Sequence, residues 1–198
     1  VTTNKSRARA RGRPRRFDPD AAVATAQHLF HARGYDAVSV ADVTDALGIN
    51  PPSLYAAFGS KAGLYARVLD HWTETAAIPL ADILRADTPV SDALAALLEE
   101  AARHYASGTH AGGCLVLEGT RCNDEGAREA ARALSGAAEQ AIRDYIAVRH
   151  PEAADSVTDY VGTIMLGLSA KARAGHDLPR LLASARIAGA AVAQILPG

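Results

Sequence analysis

Aromatic and sulfur-bearing side chains are scarce in this 198-residue sequence, which holds 3 Phe, 1 Trp, 6 Tyr, 1 Met and 2 Cys. The cores are therefore expected to be built mainly from Ala, Leu, Val and Ile on closely approaching helices, as the 44 alanines indicate. No apolar run reaches the roughly 18 residues that a membrane-spanning helix needs, and no signal-peptide pattern occurs. The expected place is the cytoplasm, with no membrane partner. Cys114 and Cys122 are too far apart for a C-x-x-C redox or zinc site, and the histidines lack ligand spacing, so neither metal nor cofactor is expected. Catalytic signatures are also missing: there is no glycine-rich phosphate loop, no H-E-x-x-H and no G-x-S-x-G. An enzyme would have to pair Cys114 or Cys122 as nucleophile with His104 or His110 as base, without any local signature. The chain is therefore read as a non-enzyme, with His28 and His31 as surface histidines.

What is present is an uneven charge. The whole chain carries a formal net charge of −1, yet residues 1–61 hold 9 Lys or Arg against 5 Asp or Glu. Seven of those bases lie in KSRARARGRPRR, from Lys5 to Arg16. With no apolar periodicity, residues 1–16 are expected to form a disordered basic arm. Arg13, Arg15 and Arg16 are its candidate DNA contacts. Arg11-Gly12-Arg13-Pro14 resembles an AT-hook core that enters a narrow minor groove, and a tail that only adds phosphate affinity is the equal alternative.

The next stretch, SVADVTDALGINPPSLYAAFGSK, reads as a DNA-reading unit. Ser39 and Asp42 make a capping box for a helix over 40–47. Gly48 suits its C-terminus, and Asn50-Pro51 caps a second helix over 51–58. Two short helices joined by a three-residue glycine turn form a helix-turn-helix, whose second helix enters the major groove. Leu54 and Phe58 face inward, leaving Pro52, Ser53, Tyr55 and Ala56 outward.

From Gly12 to Leu69 the chain resembles the TetR family of bacterial transcriptional regulators, most specifically over Gly48 to Lys61. The resemblance implies an all-α fold of about nine helices: an N-terminal three-helix helix-turn-helix DNA-binding unit over 17–61, then a helical ligand-binding and dimerisation domain over 62–198. It implies a homodimer, most simply a repressor, that leaves double-stranded palindromic operator DNA when a small-molecule effector binds. Tyr55 and Lys61 are the expected phosphate contacts, Ser39 and Thr44 position the first reading helix, and Asn50, Pro52 and Ser53 lie nearest base edges. A ligand-independent architectural DNA-binding protein is the alternative, disfavoured by the length of chain after Lys61.

A long helix opened by Ser60 and Lys61 carries Leu64, Val68, Trp72, Ala76 and Leu80 at a four-residue step, and Pro79 is expected either to kink or to stop it. The run GGCLVLEG resembles a segment that borders the effector cavity in part of the family. Candidate effector contacts are Trp72, Ile83, Tyr105, Cys114, Leu117, Glu118, Arg121, Tyr160, Met165 and Leu168, with ordinary core as the alternative for the apolar members. Cys114 reads either as a sensor of electrophiles or oxidants or as a small buried thiol. A further helix is expected from Pro151 to Gly175. The small residues Ala185, Gly189 and Ala193 stand four apart and suit either internal packing or a subunit seam. The resemblance favours the seam, formed by Val157, Val161, Ile164, Ala185, Gly189, Val192 and Ala193.

Overall fold

The computed structural model describes residues 18–108 and 111–196. The basic arm with Arg13, Arg15 and Arg16, and also His110, lie outside the described residues. The described residues form helices without strands.

Helix α1 (Pro19–Arg33) starts where Asp18 Oδ1 accepts from the Asp20 amide at 3.1 Å and Pro19 fills the first turn. It buries Ala22, Val23, Ala26 and Phe30. Helix α2 (Val40–Leu47) has the expected capping box, with the Ser39 amide donating to Asp42 Oδ2 at 2.7 Å and the Asp42 amide to Ser39 Oγ at 3.1 Å. Gly48 ends it in the left-handed region (φ 64°), a conformation that any Cβ would strain. Helices α3 (Pro51–Phe58) and α4 (Lys61–Ala76) follow, capped by Asn50 and Ser60.

Pro79 acts as a stop. Helix α4 ends at Ala76, Ala77 is extended, and Leu80 belongs to a separate four-residue turn, α5 (Leu80–Ile83), rather than to the α4 stripe. Then come α6 (Val90–Ala106), the short α7 (Leu115–Gly119), α8 (Glu125–Ala147), α9 (Ala154–Arg173) and α10 (Leu178–Ile195). Helix α9 begins three residues later than its expected start at Pro151.

Two apolar cores form. The larger one joins α6, α9 and α10 with Ile142 and Ile146 of α8. The smaller one lies under the helix-turn-helix and includes Val23, Phe30, Val43 and Leu54, but it does not stop at residue 61. Leu64, Tyr65, Val68, Leu69 and Trp72 of α4 enter it, as do Leu115, Cys122, Ala127 and Ala131. At its centre, Tyr65 sits edge-on to Phe30 (5.0 Å between centroids) and to Tyr35 (4.9 Å). No helix among the described residues is long and apolar enough to cross a membrane.

Candidate nucleic-acid interface and effector cavity

The reading helix α3 is held by its ends. Asn50 Oδ1 accepts from the Ser53 amide at 2.9 Å and from Ser53 Oγ at 2.7 Å. These two side chains, expected nearest base edges, are thus joined in the cap, so the Asn50 oxygen is already engaged and its amide N–H groups are what it offers to a base. Leu54 is buried, while Pro52, Tyr55 and Ala56 are exposed, Tyr55 at 46%. The outward face is a ring and small apolar groups, with no arginine.

Two expected DNA contacts lie elsewhere. Thr44 is buried, with Oγ1 donating to the Ala41 carbonyl at 3.0 Å, because the inward arc of α2 takes in Val43 and Thr44 together. Lys61 is turned inward: Nζ donates to the carbonyls of Val38 (2.8 Å) and Tyr35 (3.0 Å) and stands 3.9 Å from the Tyr35 ring centroid. Lys61 therefore pins the α1–α2 turn instead of reaching for a phosphate. Lys61→Met is expected to lower stability by about 1–3 kcal/mol, the usual cost of orphaning such groups. The slope of log operator affinity against log salt should stay unchanged in that variant, whereas losing a phosphate contact in each half-site would flatten it by about 0.9 per contact. Ser39 is exposed at the positive end of α2, its hydroxyl engaged with Asp42 in the capping box. The other Lys or Arg among residues 18–61, Arg33, pairs with Asp42 at 2.9 Å, and this contact with the Ser39 hydrogen bonds holds the Asp42 carboxyl well below the usual range.

Between α4, α6, α7, α8 and α9 lies a cavity of about 340 Å³. Five of the ten expected effector residues line it: Trp72, Tyr105, Cys114, Leu117 and Met165. The others do not. Ile83 faces a separate groove with Pro79 and Glu99, and Leu168 is packed in the larger core, with Tyr160 at that core's edge. Glu118 is drawn to Arg173 (3.5 Å) and Arg121 (3.7 Å), the latter well exposed. The sequence reading missed Thr73, His104, Ser135, Ala138 and Ile142, which also line the cavity. Thr73 and His104 are chain neighbours of Trp72 and Tyr105; a single stripe per helix overlooks the flanking residue that a space between helices also touches.

No charged side chain is among the cavity's lining residues. Burial pulls the His104 pKa below its ordinary value, with Glu100 and the Ala76 carbonyl opposing, so the ring is neutral near pH 7. Burial likewise pushes the Cys114 thiol up, away from the thiolate. The wall is therefore neutral, with an imidazole, a phenol, a thiol and two hydroxyls set among aliphatic groups.

The expected subunit seam is largely interior. Val157, Val161, Ala185, Gly189 and Val192 are buried within the single chain. The small-residue step serves α6 instead: a Cβ on Gly189 would lie 2.9 Å from Ala95 Cβ. Ile164 is half-buried and Ala193 exposed. Ile187 of α10 is 73% exposed, one turn beyond Ser184, and Ser184 lines a shallow α9–α10 groove with Ile164. His31 is also not the surface group expected, since its ring is partly buried against Trp72 and Gly113.

Residues 22–68 match the model for bacterial regulatory proteins of the tetR family. The HTH-type transcriptional repressor BdcR of Escherichia coli K12 is 57% identical over 192 residues, covering 97% of this chain and 98% of that protein. The repressor ComR of the same organism is 30% identical over 185 residues, covering 88% of each. Among solved structures, a cysteine-substituted form of the regulator CifR in complex with 26-base-pair operator DNA has a TM-score of 0.81 and 32% identity, over 90% of this chain and 99% of that one.

Proposed function

This chain belongs to the TetR family of bacterial transcriptional regulators, and from that premise we propose that it acts in the cytoplasm as a homodimeric repressor released from a palindromic operator by a small molecule. The observation that carries the reading is the joint presence of a capped α3 with an exposed Tyr55 face and a partly open cavity among α4, α6, α7, α8 and α9. BdcR, similar along nearly the whole chain, is a repressor, which favours the same direction of control here. Base choice rests on apolar contacts from Pro52 and Ala56, the Asn50 amide and DNA shape, because α3 carries no arginine. With Arg33 and Lys61 engaged internally, Arg13, Arg15 and Arg16 of the arm supply much of the phosphate attraction. The cavity disfavours the architectural alternative, which has no use for it.

The effector is an uncharged, mainly apolar molecule. A buried ion would meet no counter-charge among the lining residues, at a cost of several kcal/mol. Trp72 is the single tryptophan of the chain and forms part of the wall, so its emission reads occupancy directly.

The test begins with selection of bound DNA from a random pool. An inverted repeat with half-sites about 34–36 Å apart is expected, and A·T-rich tracts alone would return the architectural reading. The neutral N-phenyl-1-naphthylamine should then quench Trp72 saturably and raise the melting temperature, while its sulfonated analogue 1-anilinonaphthalene-8-sulfonate binds at least about tenfold more weakly. Equal binding of the two would end the neutral-effector assignment.

A further inference from the structure

His31 sits where the small core, the cavity and the larger bundle meet. Its Nε2 lies 3.0 Å from the Gly113 carbonyl, 82 residues away in sequence. A carbonyl only accepts, so Nε2 carries the proton, and burial holds the ring's pKa below its ordinary value. The ring meets Trp72 edge-on with centroids 4.7 Å apart. The His31 backbone carbonyl in turn accepts from Arg173 Nη1 of α9 at 3.0 Å.

The Gly113 side of this contact is stiff. Its amide donates to the Tyr105 carbonyl at 2.9 Å, and the following amide, of Cys114, donates to Ser169 Oγ at 2.9 Å. Gly113 has φ +88°, and a Cβ there would lie 2.9 Å from the Ser169 carbonyl oxygen. Tyr105 and Cys114 both line the cavity. The peptide that His31 holds is thus anchored by residues that an occupant would touch. The other side leads directly to the reading unit. Two residues beyond His31, Arg33 pairs with Asp42 of the α2 capping box at 2.9 Å and donates to the Ala37 carbonyl at 2.6 Å.

We propose that His31 is the positioning residue that couples the cavity to the reading helices. An occupant that displaces Trp72 or the Gly113–Cys114 peptide moves the His31 ring, and with it the C-terminus of α1 and the cap of α2. The inference rests on the cavity being the effector site. It requires an occupant to favour one arrangement of this contact over the other.

The test needs no identified effector. Ala138 lines the cavity from α8, so Ala138→Phe supplies a tethered occupant, with Ala138→Leu as the milder filler if thermal melting shows that the larger one does not fold. Operator affinity is measured for the filler alone and in His31→Ala and His31→Gln backgrounds, with Trp72 emission as the report on the cavity. The filler is expected to weaken operator binding about tenfold, within the usual range of allosteric coupling. In the His31→Ala background it should change affinity less than about twofold, and His31→Gln, which keeps an N–H for the Gly113 carbonyl, should restore most of the response. Equal losses in all three backgrounds would overturn the role of His31 and leave the effector reading standing. No loss from the filler alone, with Trp72 emission shifted, would overturn both.

Discussion

Tyr55→Ala is expected to weaken operator binding by two orders of magnitude or more, with the melting temperature and oligomeric state unchanged. The ring stands on the outward face of α3, 46% exposed, while the inward Leu54 carries the packing of that helix. Removing an exposed side chain typically alters stability by less than about 0.5 kcal/mol. A hydrogen bond to a charged group such as a phosphate is worth about 1.5–3 kcal/mol. A two-fold protein makes it twice, so the loss is roughly 3–6 kcal/mol, or about 10²–10⁴ in affinity. Tyr55→Phe separates hydroxyl from ring: if the hydroxyl holds a phosphate, Phe should lose most of what Ala loses. Fluorescence anisotropy with labelled operator measures both, and unchanged affinity for the alanine variant would remove Tyr55 from the interface.

The second large effect belongs to α10. Ile187→Glu is expected to convert the dimer to folded monomers and thereby lower operator affinity by about 10²–10⁴, the gain normally supplied by linking two sites. Ile187 is 73% exposed in the single chain, beside the groove lined by Ile164 and Ser184. A large apolar side chain left open there is best covered by its own copy, because a two-fold interface sets the same patch on both subunits. A glutamate would bring two like charges together in a drying interface. Sedimentation velocity reads the oligomeric state and circular dichroism the retained helicity. A variant that remains dimeric would relocate the seam.

The sequence made some of this architecture legible because local chemistry alone specifies it. Ser39 with Asp42, Gly48, and Asn50 with Pro51 each act within a few residues, so the reading unit could be bounded from its caps and turn. The family resemblance carried over the long helical remainder. What local pattern could not supply was partnership between distant segments. Ala185, Gly189 and Val192 look the same whether α10 packs on α6 or on another subunit, and only the approach of Ala95 decides it. Thr44 and Lys61 are polar and were assigned to DNA, yet their donors meet backbone carbonyls nearby. His31 was assigned to the surface because nothing near it in sequence signals a carbonyl 82 residues away. In the cavity, Trp72, Tyr105 and Cys114 were found through residue type, while Glu118 was misplaced because Arg173 competes for it.

The shared small core bears on modularity. Leu115, Cys122, Ala127 and Ala131 roof the Phe30–Tyr35–Tyr65 cluster from the far side, and the Tyr65 hydroxyl reaches the Leu115 carbonyl at 3.4 Å. A hybrid regulator that joined residues 1–61 to a foreign sensor would take Tyr65 out of this aromatic nest and leave Phe30 and Tyr35 unroofed. A transplantable reader must instead bring α4 with it and find matching apolar groups at the four roof positions its new host provides. Exchange of specificities within such a scaffold is thus a matter of grafting a few exposed residues around Tyr55, not of swapping whole units.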